Sequence, residues 1–251
     1  MTCIELLPGM MVRMMGGTDG RWGGDGPVVV LLHGFGASGD DLVPLAEALA
    51  LPATFRYVFP QGPVSLGFDS GAGEARAWWW LDAGEFQRAI EGGDIVGMMD
   101  AIPDGLKQAR RAILSLLSYI HRTLSVPYEH IVLGGFSQGG ILALDASLNT
   151  EAPLGAVVLL SAAVASRQEW LHALPVLPKV PVFQSHGKAD PVLPFEVALE
   201  LNRMLGTANF EVEWVPFNGG HSIPAEVLVA LRAFLIRVEE VSNRISPSHG
   251  T

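Results

Sequence analysis

The sequence predicts an α/β chain: a mostly parallel central sheet with helices on both faces. Three observations carry that prediction. Short, continuous apolar runs recur at residues 28–32, 55–59, 131–133, 156–160 and 180–184, the pattern of parallel strands buried on both sides. Between most of them lie stretches whose apolar residues fall at helical spacing. No internal repeat or second compositional regime interrupts this alternation, so residues 1–251 are expected to form a single domain.

Taken in order, residues 1–15 read as short strands around the Pro8-Gly9 turn, and a glycine-rich link over 16–26 leads into the run at 28–32. The loop His33-Gly34-Phe35-Gly36 precedes an amphipathic helix expected over 41–50, with Leu42, Leu45 and Leu49 on one stripe. The strand over 55–59 follows. The alternation then lapses over about 62–93, where Gly, Ser and acidic residues surround Trp78-Trp79-Trp80-Leu81-Asp82. Long segments of this kind inside a domain are usually functional loops. Three adjacent tryptophans cannot all point into one core, so at least one of Trp78, Trp79 and Trp80 is expected to line a pocket. A long helix is predicted from Pro103 to about Leu124, and short helical spacing recurs at 168–173. Helices are also predicted over 194–205 and 224–239, with a strand over 210–216 between them. The polar residues 242–251 are expected to form a flexible tail.

Composition excludes several classes. Charged residues are only 17% against 49% hydrophobic, which argues against disorder. A formal net charge of −10, without a long basic block, argues against nucleic-acid binding. No uncharged apolar run approaches the ~18–20 residues that cross a bilayer, so no transmembrane segment is expected. The start lacks a basic segment followed by an apolar core, so no secretory signal is expected either. The single cysteine, Cys3, rules out an internal disulfide and fits a reducing, cytoplasmic setting. Phe68 and Phe86 are candidates for a self-association surface, and hence for a homodimer.

Chemistry concentrates at Gly135-Phe136-Ser137-Gln138-Gly139. This matches G-x-S-x-G, in which a strained strand-to-helix turn carries a serine at its tip and flanking glycines avoid a clash. A serine needs a base and an orienting acid. Loops that leave buried parallel strands at their carboxyl ends supply both, Asp190 after the strand at 180–184 and His221 after the strand at 210–216. His186 and His33 are rival histidines. His186 shares the acid's loop and is too close in sequence to leave Asp190 a separate job. His33 reads as a loop-shaping residue whose ring bonds nearby backbone. An oxyanion needs preorganised N–H donors. The backbone N–H of Gln138, just after the nucleophile, and that of Phe35 are the candidates.

With these residues in place, the chain resembles the carboxylesterase/acyl-protein thioesterase (phospholipase/carboxylesterase-type) family of α/β-hydrolases over about residues 28–235. The carriers are Leu32-His33-Gly34-Phe35-Gly36, Leu133-Gly134-Gly135-Phe136-Ser137-Gln138-Gly139-Gly140, His186-Gly187-Lys188-Ala189-Asp190-Pro191-Val192-Leu193-Pro194 and Gly220-His221. The order Ser137, Asp190, His221 is the triad order of that fold. The resemblance implies an α/β-hydrolase fold and a serine esterase without metal or organic cofactor. It also implies carboxylic esters or thioesters as substrates, small or lipid-like, often with the acyl chain in an apolar groove. The family's Trp-aromatic-Asp beside the site corresponds to Trp80-Leu81-Asp82, with leucine replacing the aromatic residue, and this resemblance makes Trp80 and Leu81 the candidates for the pocket wall. Small-ester carboxylesterase, lysophospholipase and acyl-protein thioesterase compete as readings. A hydrolase-fold binding protein without catalysis is the rival from another class, and its usual signature, a broken triad or oxyanion loop, is missing from this sequence.

Overall fold

Apolar runs too continuous to face water on either side pair into one sheet. The structure, a computed structural model, describes residues 2–7, 9–69, 71, 73–82, 84, 88–89 and 92–245. Eight strands order as β1 (Thr2–Leu7), β2 (Met10–Gly16), β4 (Arg56–Pro60), β3 (Val28–Leu32), β7 (Ile131–Phe136), β8 (Ala156–Leu160), β9 (Val182–Gly187) and β10 (Val212–Phe217). The run from β4 through β10 is parallel throughout, and β1 and β2 add an antiparallel edge around the expected turn. Sequence neighbours β3 and β4 pair, then the chain crosses back to lay β7 on the other side of β3.

Alternate residues of each central strand serve opposite faces. Val28, Val30 and Leu32 meet α3 (Leu106–Thr123) and α4 (Gln138–Ser147) through Leu106, Ile113, Leu116, Leu117 and Leu142. Val29 and Leu31 face the other layer, where α1 (Pro44–Ala48) and α7 (Ala225–Ile245) bring Ala46, Val227, Leu231 and Phe234. Beyond β7, Val157, Leu159 and Val182 pack on α5 (Arg167–Ala173) and α6 (Phe195–Thr207) through Trp170, Val197 and Leu201. The observed sheet, with helices on both faces, is the predicted fold class.

Several boundaries differ from the sequence reading. α1 is shorter than the expected 41–50, because Pro44 fits only the first turn and a loop precedes it. β9 starts at Val182, past Pro181, which has no N–H to give a ladder, and it runs on through His186 to Gly187. The flexible tail expected over 242–251 is helical at its start, and residues 246–251 lie outside the described residues. α7 continues through Ile245, and Ser242 is buried, its hydroxyl donating to the Glu129 carbonyl at 3.2 Å.

The segment read as structureless over 62–93 contains an antiparallel hairpin, β5 (Val64–Asp69) and β6 (Glu74–Ala77). Just beyond it lies a short helix, α2 (Ile95–Asp100), whose N-cap Asp94 accepts the Gly97 N–H at 2.9 Å. Phe68 is exposed on β5; Phe86 lies outside the described residues.

Candidate active site

β7 ends in a turn that only small residues allow. A Cβ at Gly135 would sit 2.7 Å from the Leu32 carbonyl oxygen, and one at Gly139 would overlap the same carbonyl. Strand and helix therefore cross in near contact, and the chain turns through Ser137 at φ 55° and ψ −120°. A non-glycine residue held there costs of order 1–3 kcal/mol. The Ser137 N–H bonds to the Leu160 carbonyl at 2.9 Å, which ties the tip to β8. Ser137 also caps α4, so the positive end of the helix lies at the serine.

The acid and base loops meet beside it. His221 Nδ1 lies 2.7 Å from Asp190 Oδ2. The other carboxylate oxygen, Oδ1, accepts the N–H groups of Val192 (2.8 Å) and Leu193 (2.9 Å). Burial alone would raise the Asp190 carboxyl; the bonds from His221, Leu193 and Val192 outweigh it and hold the group below the usual carboxylate range. Asp190 is thus an anion that fixes the proton of His221 on Nδ1 and leaves Nε2 as a lone pair. Phe136, beside the serine, packs on the His221 ring with centroids 4.7 Å apart. Ser137 and His221 line the same cavity.

His33 does what its loop position suggested. Its Nε2 accepts the Gly62 N–H at 2.9 Å, so its proton sits on Nδ1, which donates to the Gly34 carbonyl at 2.8 Å. Burial pushes the ring down to about 4, which keeps it neutral. The Gly34 carbonyl and the Phe35 N–H belong to one planar peptide unit, so bonding the first orients the second. Neither the Phe35 N–H nor the Gln138 N–H has a backbone acceptor among the described residues.

The cavity measures about 1240 Å³, beyond the roughly 300–1,000 Å³ of ordinary small-molecule pockets. Phe35, Phe136, Ile141, Val192, Leu193 and Val197 form its inner wall; Trp79, Trp80, Leu81, Met98 and Met99 form the outer one. The tryptophans divide as their crowding required. Trp78 and Trp79 are buried, while Trp80 is 65% exposed on the cavity wall, edge-on to Phe35 with centroids 6.5 Å apart. Trp80 and Leu81 both line this cavity. Among the described residues no group of three or more His, Cys, Asp or Glu is arranged to hold a metal ion.

Three participants escaped the sequence reading. The Gln138 side chain grips the tryptophan segment: its Oε1 accepts the Trp78 N–H (2.9 Å) and its Nε2 donates to the Trp79 carbonyl (3.0 Å). No spacing signals a contact across sixty residues. α2 supplies Met98 and Met99 to the wall, and Asp94, three residues before Gly97, was its readable cap. His186 is fully buried, with Nε2 at 2.8 Å from the Leu193 carbonyl and 3.3 Å from Asp190 Oδ2.

Comparison with known proteins agrees with this geometry. The family described as phospholipase/carboxylesterase matches residues 24–238. Acyl-protein thioesterase 1 of Candida albicans is 27% identical over 231 residues, covering 84% of this chain and 92% of its own. The protein of that name from Eremothecium gossypii is 30% identical, covering 82% and 85%. Among solved structures, esterase PE8 superposes with a TM-score of 0.72 at 24% identity over 90% of this chain and 97% of its own. The Bacillus cereus carboxylesterase gives 0.66 at 20% identity over 91% and 94%.

Proposed function

The chain belongs to the phospholipase/carboxylesterase family of α/β-hydrolases and is a serine hydrolase of carboxylic esters, and from that premise we propose that Ser137, His221 and Asp190 carry its chemistry. The observation that carries the assignment is the His221–Asp190 bond of 2.7 Å at the wall of the cavity that Ser137 enters on its strained turn. His221 Nε2 takes the Ser137 hydroxyl proton as Oγ attacks the ester carbonyl, and Asp190 holds the imidazole and its charged form. The Phe35 and Gln138 N–H groups hold the oxyanion. The bond to the leaving oxygen or sulfur breaks, and the proton passes from His221 to that atom. Water, deprotonated by the same ring, then releases the acid from Ser137. His221 must be neutral to act as base, so its protonation in acid is expected to abolish activity.

The large apolar cavity, with Met98, Met99, Trp79 and Leu81 on its wall, supports a long acyl chain. The acyl-protein thioesterase relatives favour the thioester version of that reading. Asp41, Asp94 and Asp104 are among the side chains that line the cavity, and among the described residues no lysine or arginine does. This supports neutral or cationic leaving groups over anionic ones.

The test is hydrolysis of a p-nitrophenyl ester series, C2 to C12, by the wild type and Ser137→Ala, with choline and glycolate thioesters as the charged pair. The Ser137→Ala variant is expected to lose about 10⁴–10⁶-fold in kcat. Equal rates in two folded proteins would end the triad reading. A preference for the glycolate thioester would end the charge reading alone.

A further inference from the structure

Stability gives no reason for a histidine at position 186. Its ring is wholly buried, and Nδ1 has no hydrogen-bond partner, an omission that typically costs about 1–3 kcal/mol. An apolar side chain would avoid that cost. The other ring nitrogen is better used. Nε2 lies 2.8 Å from the Leu193 carbonyl, which fixes the proton there, and the same N–H lies 3.3 Å from Asp190 Oδ2. Leu193 in turn donates its N–H to Asp190 Oδ1 at 2.9 Å. His186 thus holds the Leu193 carbonyl while the Leu193 N–H holds Asp190, and Asp190 Oδ2 has His221 Nδ1 at 2.7 Å and the His186 ring nitrogen beside it at 3.3 Å.

We propose that His186 is a positioning residue for the esterase reaction, acting through Asp190 on His221: it braces the 190–193 turn and draws off part of the carboxylate charge that His221 would otherwise receive. The proposal rests on the triad reading given above. Burial pushes the His186 ring below the usual histidine value, so it stays neutral and keeps this N–H donor in place. The titratable groups that face it are Asp190 and His221; its aromatic neighbour is Phe195, with centroids 6.2 Å apart. Three N–H groups bond the carboxylate, and the positive end of the His186 N–H dipole lies beside it. Without that dipole, more charge falls on His221, the imidazolium is favoured, and the base is protonated at higher pH.

The test uses the full chain with His186→Phe, which keeps a ring and removes the donor, and His186→Gln, whose amide nitrogen can occupy the Nε2 position. His186→Phe should lower kcat about three- to tenfold with KM within about twofold, as loss of the bond to the Leu193 carbonyl and of the N–H dipole beside the carboxylate implies. The acid limb of its kcat/KM profile should move up by roughly half a pH unit. His186→Gln should restore both. A folded His186→Phe enzyme with the wild-type limb, or a Gln variant no better than Phe, overturns the proposal. Should His186→Phe fail to fold, nitrogen NMR of histidine-labelled wild type decides. His186 is expected to hold the neutral Nε2–H tautomer without titrating from pH 7 to 9, and titration in that range or the Nδ1–H tautomer overturns the inference. The Ser137→Ala control separates the two failures: if it stays active the triad reading is wrong, and if it is dead while His186 leaves no mark only the present proposal is.

Discussion

The two walls of the cavity are built differently. The inner wall stands on the carboxyl ends of β3, β7, β9 and β10, where buried strands fix the loops and backbone contacts leave no room for adjustment. Gly139 lies under the Leu32 and His33 carbonyls, and Asp190 is held through both oxygens. The outer wall, from the tryptophan segment to α2, is attached among the described residues largely through side chains: the Gln138 amide at Trp78 and Trp79, the Trp78 indole N–H to the His33 carbonyl at 2.9 Å and Arg167 to Asp100 at 2.8 Å, with one backbone bond just beyond, from the Ser166 N–H to the Ala101 carbonyl at 3.0 Å. It also carries the exposed apolar side chains Trp80, Val96 and Ile102. The difference separates two jobs. Bond breaking needs atoms held to a few tenths of an ångström, whereas choosing an acyl chain needs only a shaped apolar surface.

Matched glycine substitutions test that contrast most severely. Gly139→Ala puts a methyl into backbone on the inner wall and should cost about 3 kcal/mol or more, or prevent folding. Gly97→Ala on the outer wall meets only the Asp94 carboxylate, a side chain that can swing away. Its gain in helix propensity and the weakened cap should leave stability within about 1 kcal/mol. Urea unfolding of both variants measures the difference, and equal costs would erase the distinction between the walls.

The next effect concerns acid. His33 titrates at about 4 in the folded protein against 6.5 when exposed. Between those values the unfolded chain binds more protons, so stability falls as pH drops from 6.5 to 4, by roughly 3 kcal/mol at most. His186 is lowered as well and pulls the same way. His33→Gln, which cannot titrate, should be less stable at pH 7 yet show a shallower decline across that window. A decline as steep as the wild type's would remove His33 as its source.

Smallest of all should be Trp80→Ala. With 65% of the residue exposed, its loss should move stability by less than about 1 kcal/mol, while the optimum of the acyl-chain series shifts. An unchanged length profile would take Trp80 out of the pocket wall.

What could be read from the sequence follows the same division. The central strands were readable because a strand buried on both faces leaves an unbroken apolar run, as in Val28–Leu32. The candidates Ser137 and Asp190 stood out because each follows such a run in a loop rich in turn residues, whereas the strand before His221 is broken by Glu213 and it was the glycine-rich loop ahead of the last helix that marked that histidine. The outer wall left fainter marks. β5 does alternate Val64, Leu66 and Phe68, but the pattern spans few residues among glycines and serines. α2 has six residues, under two turns, too few for periodicity to register. His186 was set aside for standing four residues from Asp190. Because β9 extends to Gly187, that proximity points its ring nitrogen at the carboxylate.

Gln138 belongs to both walls, and this sets where the molecule can be recombined. Its amide clamps the backbone of Trp78 and Trp79, so it asks for a chain path there and is indifferent to side-chain identity. A segment grafted from another protein could therefore enter just after Trp79 and rejoin before α3 without disturbing the first residue of α4. A splice placed one residue into the clamp would loosen the turn on which the serine stands. The junction between a fixed engine and an exchangeable fitting runs through one glutamine.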